Sequence, residues 1–314
     1  MGTRNFDLGA RDMKAAGRIA LERGMRSFAS IDVMASRWDR FVKYIREHHA
    51  IGRMETITPE VVIAYGAWLA YQVEDGHLKP ATAQNYVSAV NRVLEIARGD
   101  RHVVVSPTRD CGIPLRTGVA LDNQFVSTDE HFNWLCIRDP RLRVMIRLQR
   151  AFGLRFEESA KFDARGVLVS LRAKSLWVVE GTKGGRKRQI PICMGAQEDT
   201  LHKARDVQGN GRSLIPEDMS YAEFRRDCYR IAARHGIRFH RERHTYAYLR
   251  YKRLLGADCP VVAGVPHGEA HIAWLAQELK ISEEAARAKD HAIRLQIAQE
   301  LGHNRIEVTN AYLG

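Results

Sequence analysis

The residues of this chain that are best suited to chemistry are an imidazole and a phenol near its C-terminal end. His303 follows directly after Gly302, and Tyr312 stands nine positions further along the chain. A phenol can act as a nucleophile, and the imidazole could contact the same phosphate group. The pair alone carries little information, so its meaning depends on residues further upstream.

Four upstream residues complete a set that suits cleavage of a phosphodiester bond. Arg155 follows a glycine turn in the segment AFGLRFEE, and Lys183 lies in the glycine-rich segment GTKGG. His240 and Arg243 are three positions apart, so they share one face of a helix. Such a reaction needs an aligned nucleophile, an acid for the leaving oxygen and cations that neutralise the transition state. Arginine suits the last task because its planar fork matches two phosphoryl oxygens.

The elements that must hold these residues are mainly helices with one small β-hairpin, so the predicted fold class is mainly α with a small β component (α+β). Residues 1–27 are polar and predict an arm or a short leading helix. Residues 28–105 have helical periodicity and predict an all-helical domain. Residues 106–126 predict a linker, because proline and glycine interrupt the pattern, and residues 127–314 form a second domain.

Local signals mark individual elements within these domains. Thr58 and Pro59 predict the start of a helix, and the pair Ser127 and Glu130 predicts a capping box. The apolar residues predicted to face the first core are Val33, Trp38, Phe41, Val42 and Ile45 in one helix and Val61, Tyr65, Trp68, Leu69 and Tyr71 in the next.

Two short segments predict strands because apolar residues alternate along them. They run from Val167 to Leu171 and from Leu176 to Val179. After the second strand come the glycine-rich segment and then RKRQIPI, so the unit predicts a hairpin whose tip carries Lys183. Its register cannot be derived from the sequence, which leaves Lys187 as an alternative to Lys183 for the chemistry.

Charge and cysteine content narrow the class of protein. The net charge of +12 over 314 residues favours a polyanionic partner, either nucleic acid or an anionic membrane. The chain has no apolar run long enough for a transmembrane helix and no secretory signal, and its five cysteines form no C-x-x-C pair. A reducing, cytoplasmic setting without a disulfide framework or zinc ribbon is therefore expected.

Taken in chain order, these segments resemble the tyrosine recombinase (phage-type integrase) family. The catalytic pattern of that family is Arg, Lys, His-x-x-Arg, His or Trp, and Tyr. The corresponding residues here are Arg155 in GLRFEE, Lys183 in GTKGGRKRQIPI, His240 and Arg243 in HRERHT, His303 in LGH, and Tyr312. Residues 28–105 likewise resemble the helical core-binding (SAM-like) DNA-binding domain of the family, so the likeness covers nearly the whole chain.

The resemblance implies a reaction in which Tyr312 attacks a scissile phosphate and leaves a 3′-phosphotyrosyl link. Arg155 and Arg243 would hold the phosphate oxygens, and His303 would add a hydrogen bond. Lys183 would protonate the departing 5′-oxygen, and His240 would assist deprotonation of the tyrosine. The bond energy stays in the protein–DNA ester, so no ATP, metal or other cofactor is needed.

The resemblance also implies partners and supporting residues. Double-stranded DNA at specific recombination sites is the expected partner, with a homotetramer assembled on it, accessory DNA-bending proteins possible beside it, and no membrane involved. Glu158 is expected to orient Arg155. The basic residues Arg186, Lys187 and Arg188 are expected to grip the DNA backbone. The helix from Pro80 to Ala97 is the candidate for facing a DNA groove.

Two features depart from the family pattern. The interval from Arg243 to His303 is long, with extra residues around 256–291 that include the spacing His267-x-x-x-His271, for which a solvated segment is a better interpretation than zinc. The sequence stops two residues after Tyr312, where family members usually continue. Alternatives to an integrase of a mobile element are a chromosome-dimer-resolving recombinase, a type IB topoisomerase-like enzyme and a non-catalytic DNA-binding protein.

Overall fold

The computed structural model describes residues 4–169 and 174–314. The chain forms two compact units that divide between Thr117 and Gly118, inside the segment 106–126 predicted as a linker. Cys111 and Ile113 from that segment fill the core of the first unit, and Val126 belongs to the core of the second. In the described parts, no helix has the length and apolarity that crossing a membrane requires.

From residue 4 onward, the first unit contains four α-helices and a short 3-10 helix, Met54–Thr56. The α-helices are α1 (Met13–Gly24), α2 (Phe28–His48), α3 (Pro59–Glu74) and α4 (Pro80–Arg98). Pro59 occupies the first turn of α3, and α4 ends at Gly99, whose φ of +76° suits a residue without a Cβ. Trp38, Phe41 and Tyr65 are completely buried and pack their rings edge to face or tilted at 5.1–5.4 Å.

Residues 13–24 form the leading helix that was one of the two expectations for the segment 1–27. The carboxylate of Asp12 caps α1 by accepting the backbone N–H groups of Lys14 and Ala15. The indole of Trp38 donates to the carbonyl of Met13 at 2.7 Å, and α1 packs against α2 and α4. This helix is therefore part of the first core.

Two residues predicted to face that core instead face outward. Val33 is 49% exposed and Tyr71 is 58% exposed. The buried side of α2 is defined by Ile31, Ala35 and Trp38, and a helical turn of 3.6 residues places Val33 away from it. The sequence pattern identified α2 and α3 correctly but assigned Val33 and Tyr71 to the buried faces of these helices.

The second unit combines eleven helices within the described residues with one hairpin. The helices are α5 (Thr128–Leu135), α6 (Pro140–Phe152), α7 (Phe156–Ala160), α8 (Ala164–Val169), α9 (Gly195–Gln208), α10 (Tyr221–Arg234), α11 (Phe239–Leu255), α12 (Pro260–Ala263), α13 (Glu269–Leu279), α14 (Glu283–Glu300) and α15 (Asn310–Leu313). Helix α6 packs against α9 and α11 at the centre, where Leu142, Met145 and Phe152 are fully buried. Ser127 caps α5 by accepting the N–H of Glu130.

The hairpin consists of β1 (Ser175–Val178) and β2 (Arg188–Pro191), which pair antiparallel with Val178 opposite Arg188. Its glycine-rich tip agrees with the prediction. The other predicted strand, Val167 to Leu171, is wrong over its first part, because residues up to Val169 belong to α8. Asp163 starts that helix by accepting the N–H of Gly166, which favours a helical turn over an extended segment. The remainder of that predicted strand lies outside the described residues.

Candidate active site

Arg243 lies at the centre of the predicted catalytic residues. It sits in the first turns of α11, where its side chain has no solvent exposure. Its guanidinium donates to the carbonyl oxygens of Gly153 and Leu301, and Nε donates to the phenol oxygen of Tyr312 at 3.2 Å. Burial, opposed by the nearby phenol oxygen, lowers the pKa of Arg243 to about 10, so the group stays charged at neutral pH. The contacts fix a planar cation in one orientation.

Tyr312 is carried by the four-residue helix α15 and is only 8% exposed. Besides the Arg243 contact, its phenol oxygen lies 3.4 Å from Nε2 of His303. The ring centroids of these two residues are 5.9 Å apart. The structure therefore brings together the two residues that the spacing at the end of the sequence singled out.

His303 follows α14 and completes a triangle with Arg243 and Tyr312. Nη2 of Arg243 lies 3.3 Å from Nε2 of His303. Because a guanidinium can only donate, this contact assigns Nε2 as the unprotonated nitrogen of the ring. Burial, followed by the charges of Arg243 and Arg155, lowers the pKa of His303 to about 4. The imidazole is thus neutral at pH 7, with a lone pair directed towards Arg243 and Tyr312.

Arg155 stands directly before α7, two residues after the glycine that ends α6. Gly153 has φ +60°, and a Cβ there would lie 2.6 Å from the ring of Tyr246, so the turn requires glycine. The guanidinium of Arg155 donates to Glu158 Oε1 at 2.9 Å, and its backbone N–H donates to Oε2 at 2.7 Å. Glu158 therefore contacts Arg155 at both its side chain and its backbone.

Glu158 also holds a second arginine, which corrects one expectation. Arg188, predicted to grip the DNA backbone, is 5% exposed and makes a two-pronged ion pair with Glu158 at 2.7 and 2.6 Å. Its Nε donates to the backbone oxygen of Glu300. Burial raises the pKa of Glu158, but the hydrogen bonds and charge of Arg188 and the N–H of Arg155 outweigh this effect and lower the pKa to about 2. Arg188 therefore braces the site from inside and is not available to DNA.

Lys183 lies on the exposed tip of the hairpin, in a short 3-10 turn that spans Lys183–Gly185. Its charge makes a small contribution to lowering the pKa of His303, after burial and the charges of three arginines. Gly181 (φ +72°) brings the tip close to α7, since a Cβ there would lie 2.8 Å from the backbone of Glu157. Arg186 and Lys187 are also exposed on the tip.

His240 begins α11 one turn before a second histidine that sequence reasoning missed. The ring of His244 lies 4.8 Å from that of Tyr312, closer than the 5.9 Å of His240. Burial, followed by the charges of His240 and Arg243, lowers the pKa of His244 to about 4. Partial burial also lowers the pKa of His240, although that side chain keeps an exposed edge. The signal for His244 was its position four residues after His240, on the same helix face.

The remaining candidates lie elsewhere. Helix α4, the candidate for a DNA groove, packs against α1, α2 and α3, and Ser88 is the one exposed residue along its length. Its position in a DNA groove stays a prediction. His267 precedes α13 and His271 is buried within it. Across residues 4–169 and 174–314, no three His, Cys, Asp or Glu side chains are grouped so as to hold a metal ion.

The chain is similar in sequence to one protein family and in fold to several solved structures. Residues 122–249 match the family described as Integrase. A comparison with curated proteins gives no match. Among solved structures, a lambda integrase dimer bound to a COC′ core site matches with TM-score 0.56 and 16% identity, over 95% of this chain and 75% of that chain.

Two further structures match nearly the whole chain. The XerH site-specific recombinase bound to difH substrate gives TM-score 0.52 at 15% identity, over 96% of this chain and 79% of that chain. The Tn1549 transposon integrase in complex with transposon right end DNA gives TM-score 0.52 at 11% identity, over 99% of this chain and 95% of that chain. At these identities the likeness establishes the fold. The match to the integrase family covers residues 122–249, which include Arg155, Lys183, His240 and Arg243, and the chain as a whole has the fold of the lambda integrase and XerH recombinase structures.

Proposed function

We propose that this chain is a site-specific DNA recombinase, the integrase of a mobile genetic element, with Tyr312 as its nucleophile. The observation that carries the proposal is the position of the phenol oxygen, 3.2 Å from Nε of Arg243 and 3.4 Å from Nε2 of His303. A phosphate that approaches this phenol necessarily approaches a fixed guanidinium and a neutral imidazole. The guanidinium suits a reaction in which negative charge develops on phosphoryl oxygens, and His303 can donate to one of them once its Nε2 carries a proton.

In the proposed cleavage step, the phenol oxygen of Tyr312 forms a bond to phosphorus and the bond from phosphorus to the 5′-oxygen breaks. The departing oxygen takes a proton from Lys183, and the phenol proton passes to a neutral imidazole. His240 is the proposed acceptor, and Nε2 of His303 also lies 3.4 Å from the phenol oxygen. Rejoining reverses the same steps with a 5′-hydroxyl of another strand, so the balance requires neither ATP nor a metal.

The arginines supply the charge that stabilises this reaction. Arg243 and Arg155 are proposed to contact the non-bridging oxygens, with Arg155 held in place by Glu158. A planar fork fixed before the substrate arrives loses little conformational freedom on binding, which favours the transition state. Arg188 is proposed to act one layer further in, since it anchors the carboxylate that positions Arg155.

Double-stranded DNA is the proposed partner. Arg186 and Lys187 on the exposed hairpin tip are proposed to contact its backbone, where they add affinity without reading sequence. The net charge of +12 fits this role. A lambda integrase tetramer bound to a Holliday junction shares this fold at TM-score 0.52 and 18% identity, and we extend its assembly to this chain as a proposed homotetramer.

The test is covalent trapping on a nicked duplex that carries the ends of the adjoining genetic element, followed by a denaturing gel. Wild type is expected to give a shifted protein–DNA band and a free 5′-hydroxyl, whereas Tyr312→Phe binds the duplex and gives no band. Tyr229→Phe, which alters a partly exposed tyrosine on α10, is the matched control and should behave as wild type. Binding without any covalent product in wild type would instead identify a non-catalytic DNA-binding protein.

A further inference from the structure

Arg294 is a buried cation on α14, in the part of the chain that follows the extra residues around 256–291. It is 3% exposed, and Nε donates to both oxygens of Asp290, at 3.0 and 2.9 Å, one turn earlier on the helix. The phenol of Tyr251 on α11 donates to the same carboxylate, and its ring lies 5.8 Å from the guanidinium carbon. These contacts hold the guanidinium in one plane and one direction.

The free edge of this guanidinium reaches the segment that carries the nucleophile. Nη1 of Arg294 donates to the side-chain oxygen of Asn310 at 3.1 Å. Asn310 is the first residue of α15, two positions before Tyr312. Its backbone oxygen accepts the N–H of Ala120 at 2.8 Å, so the start of α15 is tied at both side chain and backbone.

Helix α15 depends on such ties because it has four residues, Asn310–Leu313. A helix of one turn is not stable by itself, so its position is set by tertiary contacts. Position matters here because a misplacement of a reacting group by about 1 Å can slow a reaction by about 10²-fold. Asn310 begins the helix that carries Tyr312, so a small shift of Asn310 would change the direction of the phenol.

The lack of a hydrogen-bond partner for Nη2 of Arg294, among the residues that the structure describes, indicates that this arginine does more than stabilise the fold. Nη2 is also buried. A buried donor without a partner lowers stability, and an apolar side chain of similar size would avoid that loss. The arrangement makes better sense if the guanidinium is needed for the direction of Nη1.

We propose that Arg294 is a positioning residue for the strand-cleavage reaction, acting through Asn310 to set where Tyr312 presents its phenol oxygen. Arg294 contacts no reacting group, so its effect falls on the rate of attack and not on DNA affinity. This inference rests on the proposed function of Tyr312. It also gives a role to α14, which carries both Asp290 and Arg294.

The test measures the single-turnover rate of covalent complex formation at saturating nicked duplex, beside the DNA dissociation constant and the thermal midpoint. Asn310→Ala removes the acceptor and leaves the pair between Arg294 and Asp290 intact. We expect its rate to fall about 10- to 100-fold while its DNA affinity stays within about twofold of wild type. Asn310→Asp keeps an acceptor oxygen and should retain most of the rate.

Arg294→Gln should reproduce the loss seen in Asn310→Ala, and combining the two should add little, because both remove one contact. Arg287→Gln is the matched control, since Arg287 lies on the same helix in an exposed pair with Glu269 and should cleave as wild type. If Arg294→Gln does not fold, Asn310→Ala and Asn310→Asp decide the question.

The outcomes separate this inference from the proposed function. Wild-type rates in Asn310→Ala, or equal losses of rate and DNA affinity, would overturn the role of Arg294 while leaving Tyr312 as nucleophile. Failure of Asn310→Asp to recover the rate would also count against it. Absence of covalent product in wild type would instead remove the proposed function itself.

Discussion

Nε of Arg243 donates a hydrogen bond to the phenol oxygen of Tyr312 at 3.2 Å, joining residues that are 69 positions apart in the chain. The same guanidinium lies 5.7 Å from the centre of the tyrosine ring. The proposed nucleophile therefore rests on the cation that would bind the phosphate.

Arg243→Lys should remove most of the cleavage activity, because an ammonium cannot reproduce a planar fork that contacts Gly153, Leu301 and Tyr312 at once. Loss of one such donor typically costs about 10²- to 10³-fold in rate. Single-turnover cleavage of the nicked duplex measures it. The control is Arg241→Lys, because Arg241 lies on the same helix as Arg243 and forms a partly exposed ion pair with Glu130 of α5. Near-wild-type cleavage by Arg243→Lys would contradict the role assigned to the fork.

Glu158→Gln should destabilise the second unit and slow cleavage. The change leaves Arg188 buried without its carboxylate and releases Arg155. Breaking a buried pair costs about 3–5 kcal/mol of unfolding free energy. The neighbouring Glu157→Gln breaks only a partly exposed pair with Lys161, so it should cost less than about 1 kcal/mol. Urea unfolding of both variants measures the difference, and equal losses would argue against the bracing role of Glu158.

Lys183→Ala should slow cleavage of normal DNA, since the 5′-oxygen then departs without a proton. A duplex with sulfur in place of that oxygen has a leaving group that is stable as an anion, so it needs no acid. We expect this duplex to restore the rate of Lys183→Ala but not that of Tyr312→Phe. If Lys187→Ala shows this rescue and Lys183→Ala does not, then Lys187 is the acid.

The partly buried histidines His244 and His303 should make the protein less stable in mild acid. The folded pKa values of His244 and His303 are about 4, below the usual value near 6.5, so the unfolded chain binds more protons between those two pH values. The free energy of unfolding is then unaffected above pH 6.5 and decreases as pH falls towards 4. Glu158, with a pKa of about 2, keeps its charge over this window. Urea unfolding at pH 7.5 and 5.0 measures the decrease, which His244→Gln should reduce. If the unfolding free energy of His244→Gln falls between pH 7.5 and 5.0 as much as that of wild type, then groups other than His244 cause the decrease.

Arg186→Ala should weaken DNA binding and Arg188→Ala should lower stability, although the two residues lie close together in one basic segment. Arg186 is exposed, so its loss should weaken DNA binding and reduce the salt slope of log K by about 1, with stability unchanged. Arg188→Ala leaves the buried Glu158 with one remaining ion-pair partner, Arg155, so it should lower the thermal midpoint. Binding titrations at several salt concentrations and thermal unfolding measure both. If Arg188→Ala reduces the salt slope of DNA binding without any loss of stability, then Arg188 contacts DNA after all.

Much of the fold was predictable because the signals are local. Pro59 at the start of α3 and Gly99 at the end of α4 act on their own turns, and helical spacing is enough to align His240 with Arg243. The order of the candidate residues along the chain was likewise sufficient to indicate the family.

The arrangement of charges could not be derived in the same way. Arg188 looks like part of a solvated basic run until the hairpin register places it on the same inward face as Ile190. Its partners are Glu158 and the backbone of Glu300, 30 and 112 positions away. Arg294 and Asn310 were overlooked for the same reason. Whether a charged residue meets solvent or a buried partner depends on long-range packing, and no local period encodes that choice.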